Sequence, residues 1–203
     1  MMKKILSLII IGLIGCLQGV YAQKKILDDA AAKLKRDKGI VIDYAISTKG
    51  NGTTKGTLSC QGRRFHAVSS ELSMWYDGKT MWSLNKTNNE VYVTEPSDAE
   101  LSKVNPYCFL DIYKKGYKIS EGKSTGTYNE VILTATNKKT DIQGATVRIN
   151  KSNKTPRNIE ITTKNKTIIS ITVTSYKGGQ KFADSSFRFD KAKYPKVEVV
   201  DLR

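Results

Sequence analysis

The stretch MWYDGKTMWSLNKTNNEVYVTEPSDAEL, Met74 to Leu101, decides the fold. Trp75 and Trp82 lie seven residues apart, with Asp77-Gly78 between them. An Asp-Gly pair inside alternating apolar sequence is a hairpin signal, because glycine supplies the positive φ that a tight turn needs. The spacing predicts a strand to Tyr76, a turn at Asp77-Gly78, a strand over 80–84 and, after the polar NKTNN, a strand over 90–94. Pro96 then occupies a first helical position, with Thr94 behind it as a cap and Asp98 and Glu100 in the first turn. Three short strands and a helix start within one window imply a β protein with a helical insertion.

Working outward, the same periods recur. Residues 24–38 place Ile26, Leu27, Ala30, Ala31 and Leu34 on one stripe, predicting an amphipathic helix that ends at Gly39. From IVIDYAIST (40–48) onward the period is two. TTKGTLSCQG and RFHAV continue it before the opening window, and EVILTAT, ATVRIN, RNIEITT, TIISITVTSY and SSFRFD continue it toward the C-terminus. These strands have no helix-length segments between them, so an antiparallel sheet is expected. The second insertion, PYCFLDIYKKG (106–116), is the most apolar irregular stretch after the leader.

A long sheet with one apolar face has to cover that face, and two short helical segments are too small to cover about ten strands. The expectation is a mainly β fold. A curled antiparallel sheet forms an unclosed barrel, with an N-terminal helix and a short helical lid over an apolar hollow.

The chain start reads as an export signal. Lys3 and Lys4 precede an apolar run over 5–14 that is too short to span a bilayer, and Val20-Tyr21-Ala22 offers a cleavage site. This makes 1–22 a signal peptide and 23–203 a single domain in the periplasm. Leu13-Ile14-Gly15-Cys16 offers a second reading, a lipobox that would leave Cys16 lipidated and the protein anchored in the envelope. Loss of Lys3 and Lys4 lowers the net charge from +15 to +13. The cations are spread along the chain, so nucleic acid is not an expected partner; solvated faces of a Lys-rich β protein are the first reading of the charge, and a general attraction to anionic envelope surfaces is the second. Cys60 and Cys108 lie in an oxidising compartment where a disulfide between them can form.

Catalytic chemistry is not legible. His66 is the sole histidine, no serine has a nucleophile motif around it, and no His/Cys spacing suits a metal. GKSTG at 122–126 lacks the leading pattern of a phosphate loop. The reading is a non-enzyme with no metal and no cofactor.

The segments FHAV (65–68), WYDGKTMW (75–82), NEVYV (89–93), NPYCFL (105–110), SFRFD (186–190) and VEVVD (197–201) resemble the periplasmic outer-membrane lipoprotein carrier family, LolA-like. The DGKTxW turn is the most specific of these. The resemblance implies a chaperone that binds the acyl chains of lipoproteins and takes them from an inner-membrane release complex to an outer-membrane acceptor. It is expected to act as a monomer. An anchored acceptor or lipid sensor of the same fold, or a basic envelope-binding module without lipid, are the alternatives.

By that resemblance Phe65, Trp75, Trp82 and Leu84 would wall the hollow, and Leu101, Tyr107, Phe109, Leu110 and Ile112 would form the lid. Arg63 or Arg64 would gate the lid, although neither aligns with the family arginine without a gap. A Cys60–Cys108 bond, if formed, would pin the lid shut.

Overall fold

The computed structural model describes residues 21–101 and 113–203. Residues 21–37 form helix α1. Six strands follow: β1 (Gly39–Thr48), β2 (Asn51–Gln61), β3 (Arg64–Ser69), β4 (Leu72–Tyr76), β5 (Met81–Asn85) and β6 (Glu90–Thr94). After the four-residue helix α2 (Asp98–Leu101) come β7 (Tyr117–Glu121), β8 (Tyr128–Ala135), β9 (Ile142–Asn150), β10 (Pro156–Thr163) and β11 (Ile168–Gly178). Two 3₁₀ turns, Asp184–Phe187 and Lys191–Lys193, lead to β12 (Glu198–Asp201).

All twelve strands belong to one sheet, in the order β12-β6-β5-β4-β3-β2-β1-β11-β10-β9-β8-β7. It consists of two meanders, β1–β6 and β7–β11, joined where β1 pairs with β11. Its outermost strands, β12 and β7, do not pair, so the barrel is unclosed as the sequence predicts.

Side chains alternate between the two faces of a strand, and each face has its own core. On the inner face α1 reaches both meanders. Leu34 packs with Ile40, Ile42, Leu58, Cys60, Phe65, Tyr76 and Leu101, while Leu27 and Ala30 pack with Val131, Leu133, Ala145, Val147 and Ile149. One helix of 17 residues, about 25 Å long, bridges strands that stand seven positions apart in the order, so the sheet curls around it. The C-terminal end of α1 is pinned to β11: the Tyr176 hydroxyl donates to Asp37 Oδ2 (2.7 Å) and Lys33 pairs with the same carboxylate (2.6 Å). Against the opposing effect of burial, these two partners hold the Asp37 carboxyl below the usual range.

The outer face carries a third cluster of Trp75, Leu84, Val91 and Val197, with Trp82, Phe189 and Tyr194 against it. Further round, the same face is polar. Arg148 Nε donates to Glu130 (2.7 Å) and its Nη1 to Asn158 (2.7 Å) and Glu160 (2.8 Å), which ties β8, β9 and β10 together. The buried Glu130 carboxylate also accepts from the Lys123 backbone N–H (2.8 Å).

Four local readings need correcting. Gly39 does not end α1: Lys38 takes the left-handed position (φ 57°) and Gly39 opens β1. A glycine is required there for close approach, since a Cβ would lie 2.1 Å from the Gln180 carbonyl oxygen. Thr94 is not the cap of the following helix. Ser97 caps α2, its hydroxyl bonding Glu100 (2.7 Å) while Glu100 also accepts the Ser97 backbone N–H (2.8 Å), a capping box. SFRFD is not a strand, because Phe187 ends a 3₁₀ turn and is fully buried against Phe182. The sheet is also not wholly antiparallel. The chain crosses the outer face after β11 and returns beside β6, so β12 runs parallel to it.

Candidate functional site

The Asp77-Gly78 turn is built as its sequence predicts. Asp77 Oδ1 accepts the backbone N–H groups of Lys79 (3.0 Å) and Thr80 (3.0 Å), and Gly78 takes φ 109°. This register sets Trp75 directly opposite Trp82. Both rings therefore lie on the outer face. Trp75 stacks on His66 (4.8 Å between centroids) and meets Phe189 and Tyr194 edge-on (5.5 and 5.7 Å). Leu84 belongs to the same outer cluster.

Phe65 points the other way, fully buried between Cys60 and Tyr76 on neighbouring strands. The four residues expected to wall one hollow are thus divided, one on the inner face and three on the outer. The reason is register: Phe65 pairs with Tyr76, and the next residue along, Trp75, must face the opposite side.

The inner face has a different apolar surface that is not fully covered. Ile46, Ile171, Ile159 and Val147 stand opposite one another across β1, β11, β10 and β9, and Ile169, Ile161 and Ala145 form a second row beside them. The five isoleucines are only half-buried, whereas Val147 and Ala145 are buried beneath α1. Tyr44 and Val173 border the rows at the α1 side, also half-buried. Four strand positions span about 14 Å, enough width for an acyl chain lying on the isoleucines. Gly56 lets the Tyr44 ring lie close against β2, since a Cβ on it would come within 2.6 Å of the Tyr44 hydroxyl.

Leu101, expected in the lid, closes α2 onto the inner face and is buried with Leu34 and Phe65. The remaining lid positions, Tyr107, Phe109, Leu110 and Ile112, and Cys108 lie outside the described residues. Cys60 is fully buried on the inner face. The two arginines part company. Arg63 pairs with Asp98 at the start of α2, while Arg64 pairs with Asp184 and lies over the Phe187 ring (5.2 Å). Of the two, Arg63 is the one that pairs with α2.

His66 Nε2 is buried with no hydrogen-bond partner among the described residues. Burial, assisted by the Lys86 charge, holds its pKa below the ordinary 6.5. The unfolded chain then takes up this proton more readily than the folded one, so the His66 contribution to stability is whole above pH 6.5 and is lost as pH falls toward the folded-state pKa. Since His66 is the sole histidine, denaturant titrations between about pH 7.5 and 5.5 should show wild-type stability falling. His66→Phe should flatten that dependence. An equal slope in both proteins would show that His66 is not the group responsible.

The half-buried isoleucine rows were absent from the sequence-derived site. Their alternation is plain in RNIEITT and TIISITVTSY, but which apolar strands stay uncovered depends on where α1 lands, and no local signal carries that.

The fold is thus an unclosed, mainly antiparallel half-barrel, wrapped on a helix and apolar inside. The family described as "Outer membrane lipoprotein carrier protein LolA" matches residues 15–165, and the chain belongs to that family. No curated protein matches the sequence. Among solved structures, an uncharacterized conserved protein from Thermus thermophilus is similar at 9% identity and TM-score 0.59, over 89% of this chain and 99% of that one. MucB is similar at 10% identity and TM-score 0.51, over 85% of this chain and 64% of its own. A putative outer membrane lipoprotein-sorting protein domain from Vibrio parahaemolyticus aligns at 10% identity and TM-score 0.49, over 87% of this chain and 100% of that one. At these identities the first two likenesses concern the fold alone.

Proposed function

We propose that this protein is a periplasmic chaperone that binds the acyl chains of lipoproteins on the inner face of its sheet and carries them to the outer membrane. The observation that carries the reading is the pair of isoleucine rows, apolar and half-buried, on the inner face of the unclosed sheet. No bond is made or broken in this activity, so no catalytic residue is assigned. Ile46, Ile159, Ile161, Ile169 and Ile171 form the floor, Leu101 anchors the lid, and the Arg63–Asp98 pair latches the start of α2. Its partners on this reading are acylated lipoproteins, an inner-membrane release complex and an outer-membrane acceptor, met by a monomer.

Release sets a physical limit. Each buried methylene contributes about 0.8 kcal/mol, so several chains in a tightly fitted cavity would not leave. Half-covered rows hold a chain less firmly than a closed cavity, which suits transfer. The test is displacement of a fluorescent apolar probe, 1-N-phenylnaphthylamine, by palmitate. Saturable probe binding that palmitate abolishes is expected. A folded protein that binds no probe would overturn the reading.

A further inference from the structure

We infer that one end of the sheet is a docking surface for anionic phospholipid bilayers. Three hairpins turn at that end: β1–β2, β8–β9 and β10–β11. The register places them side by side, because Thr48 pairs with Ile169 and Thr163 with Ile142. Their tips carry Lys49, Lys138, Lys139, Lys164 and Lys166, all exposed. None of the five forms an ion pair among the described residues. The lead-in to β7 adds exposed Lys114 and Lys115 at the same end, since Gly116 accepts from the Thr136 backbone N–H (2.9 Å). Asp141 is the one acidic residue in these turns, and its carbonyl binds the tips together by accepting the Lys164 N–H (2.8 Å).

At the opposite end four cations are paired, Arg63 with Asp98, Arg64 with Asp184, Lys79 with Glu95 and Arg188 with Asp77, while Lys123 and Lys151 in the β7–β8 and β9–β10 turns form no ion pair among the described residues. The hairpin tips and the lead-in to β7 thus gather seven lysines with one acidic residue among the turns. Seven neighbouring strands, β2 through β7 by way of β1 and β11, span about 29 Å, so the lysines form a broad cationic rim rather than a point site. A broad, shallow rim without a concave pocket fits an extended anionic plane better than a single small anion. Ile168, 47% exposed, sits among the tips and gives the rim an apolar contact for the headgroup region. Attraction of this kind acts within about 8 Å at physiological salt and is reversible. The inference does not depend on acyl-chain carriage.

The experiment is co-sedimentation of the purified protein with phosphatidylcholine vesicles, with and without phosphatidylglycerol. Three proteins are compared: wild type, a rim variant with Lys49, Lys138, Lys139, Lys164 and Lys166 changed to Gln, and a control with Lys35, Lys123, Lys151, Lys177 and Lys181 changed to Gln. Both variants lose the same charge and alter only exposed side chains. Wild type should bind only the anionic vesicles and be released by added salt. The rim variant should bind at least about tenfold more weakly, with the control close to wild type. Equal loss in both variants would show that net charge alone is responsible. Absence of wild-type binding to anionic vesicles would leave the rim to an acidic protein partner. Either result overturns the proposal, and palmitate displacement in the same proteins reports separately on acyl-chain binding.

Discussion

Trp75→Ala is expected to destabilise the domain by about 3–5 kcal/mol while leaving the acyl-chain affinity of the folded protein unchanged. Trp75 is 5% exposed and sits at the centre of the outer cluster, touching His66, Phe189 and Tyr194. Removing the indole leaves a large void in a site closed by the C-terminal segment, and little in a packed cluster can collapse to fill it. None of its contacts reaches the inner face. Guanidinium unfolding measures the stability loss, and probe titration in native buffer measures the affinity. If affinity falls in a protein that remains folded, Trp75 contributes to the hollow, as the sequence-level expectation had it.

The double change Ile159→Glu with Ile171→Glu should produce the opposite pattern. These side chains face each other in the middle of the rows and are half-buried. In the absence of ligand the carboxylates retain access to water, so the melting temperature should drop by only a few degrees. A bound chain would have to lie over two charges in place of two isoleucines. Loss of about 3 kcal/mol of apolar contact corresponds to roughly a hundredfold in affinity. Calorimetric titration with palmitate, paired with thermal melting, separates the two effects. A variant that unfolds outright would show that the rows are packed core rather than an open surface.

Much of the fold was legible because strand alternation is a local signal. DGKT fixed the hairpin that sets Trp75 against Trp82, and β6 falls over the residues its alternation predicted. What local pattern could not supply was the sense of each face. Trp75 and Tyr76 are adjacent and both buried, but on opposite sides, because this part of the sheet is covered twice, by α1 with α2 on one face and by the C-terminal segment on the other. An alternation rule that assumes one apolar face breaks down there. The SFRFD segment misled for a related reason: two phenylalanines spaced by one residue satisfy a strand pattern, yet Phe187 closes over Arg64 and Phe182 and Phe189 joins the Trp75 cluster. The capping box at Ser97 and Glu100 was visible in the sequence, but the proline before it drew the cap back to Thr94. The isoleucine rows needed tertiary information, since only the path of α1 tells Ile159 and Ile171 from the buried Val147 beside them.

The central claim is that lipoprotein acyl chains lie on the inner face of β10 and β11, and photocrosslinking tests it most directly. A benzophenone amino acid placed at Ile171 faces the rows, while the same probe at Thr172 faces the outer side of the same strand. Irradiated in cells expressing the full chain, the Ile171 probe should yield adducts with acylated lipoproteins that vanish when acylation is blocked, and the Thr172 probe should yield none. Adducts of equal intensity at both positions, or at Thr172 alone, would contradict the account.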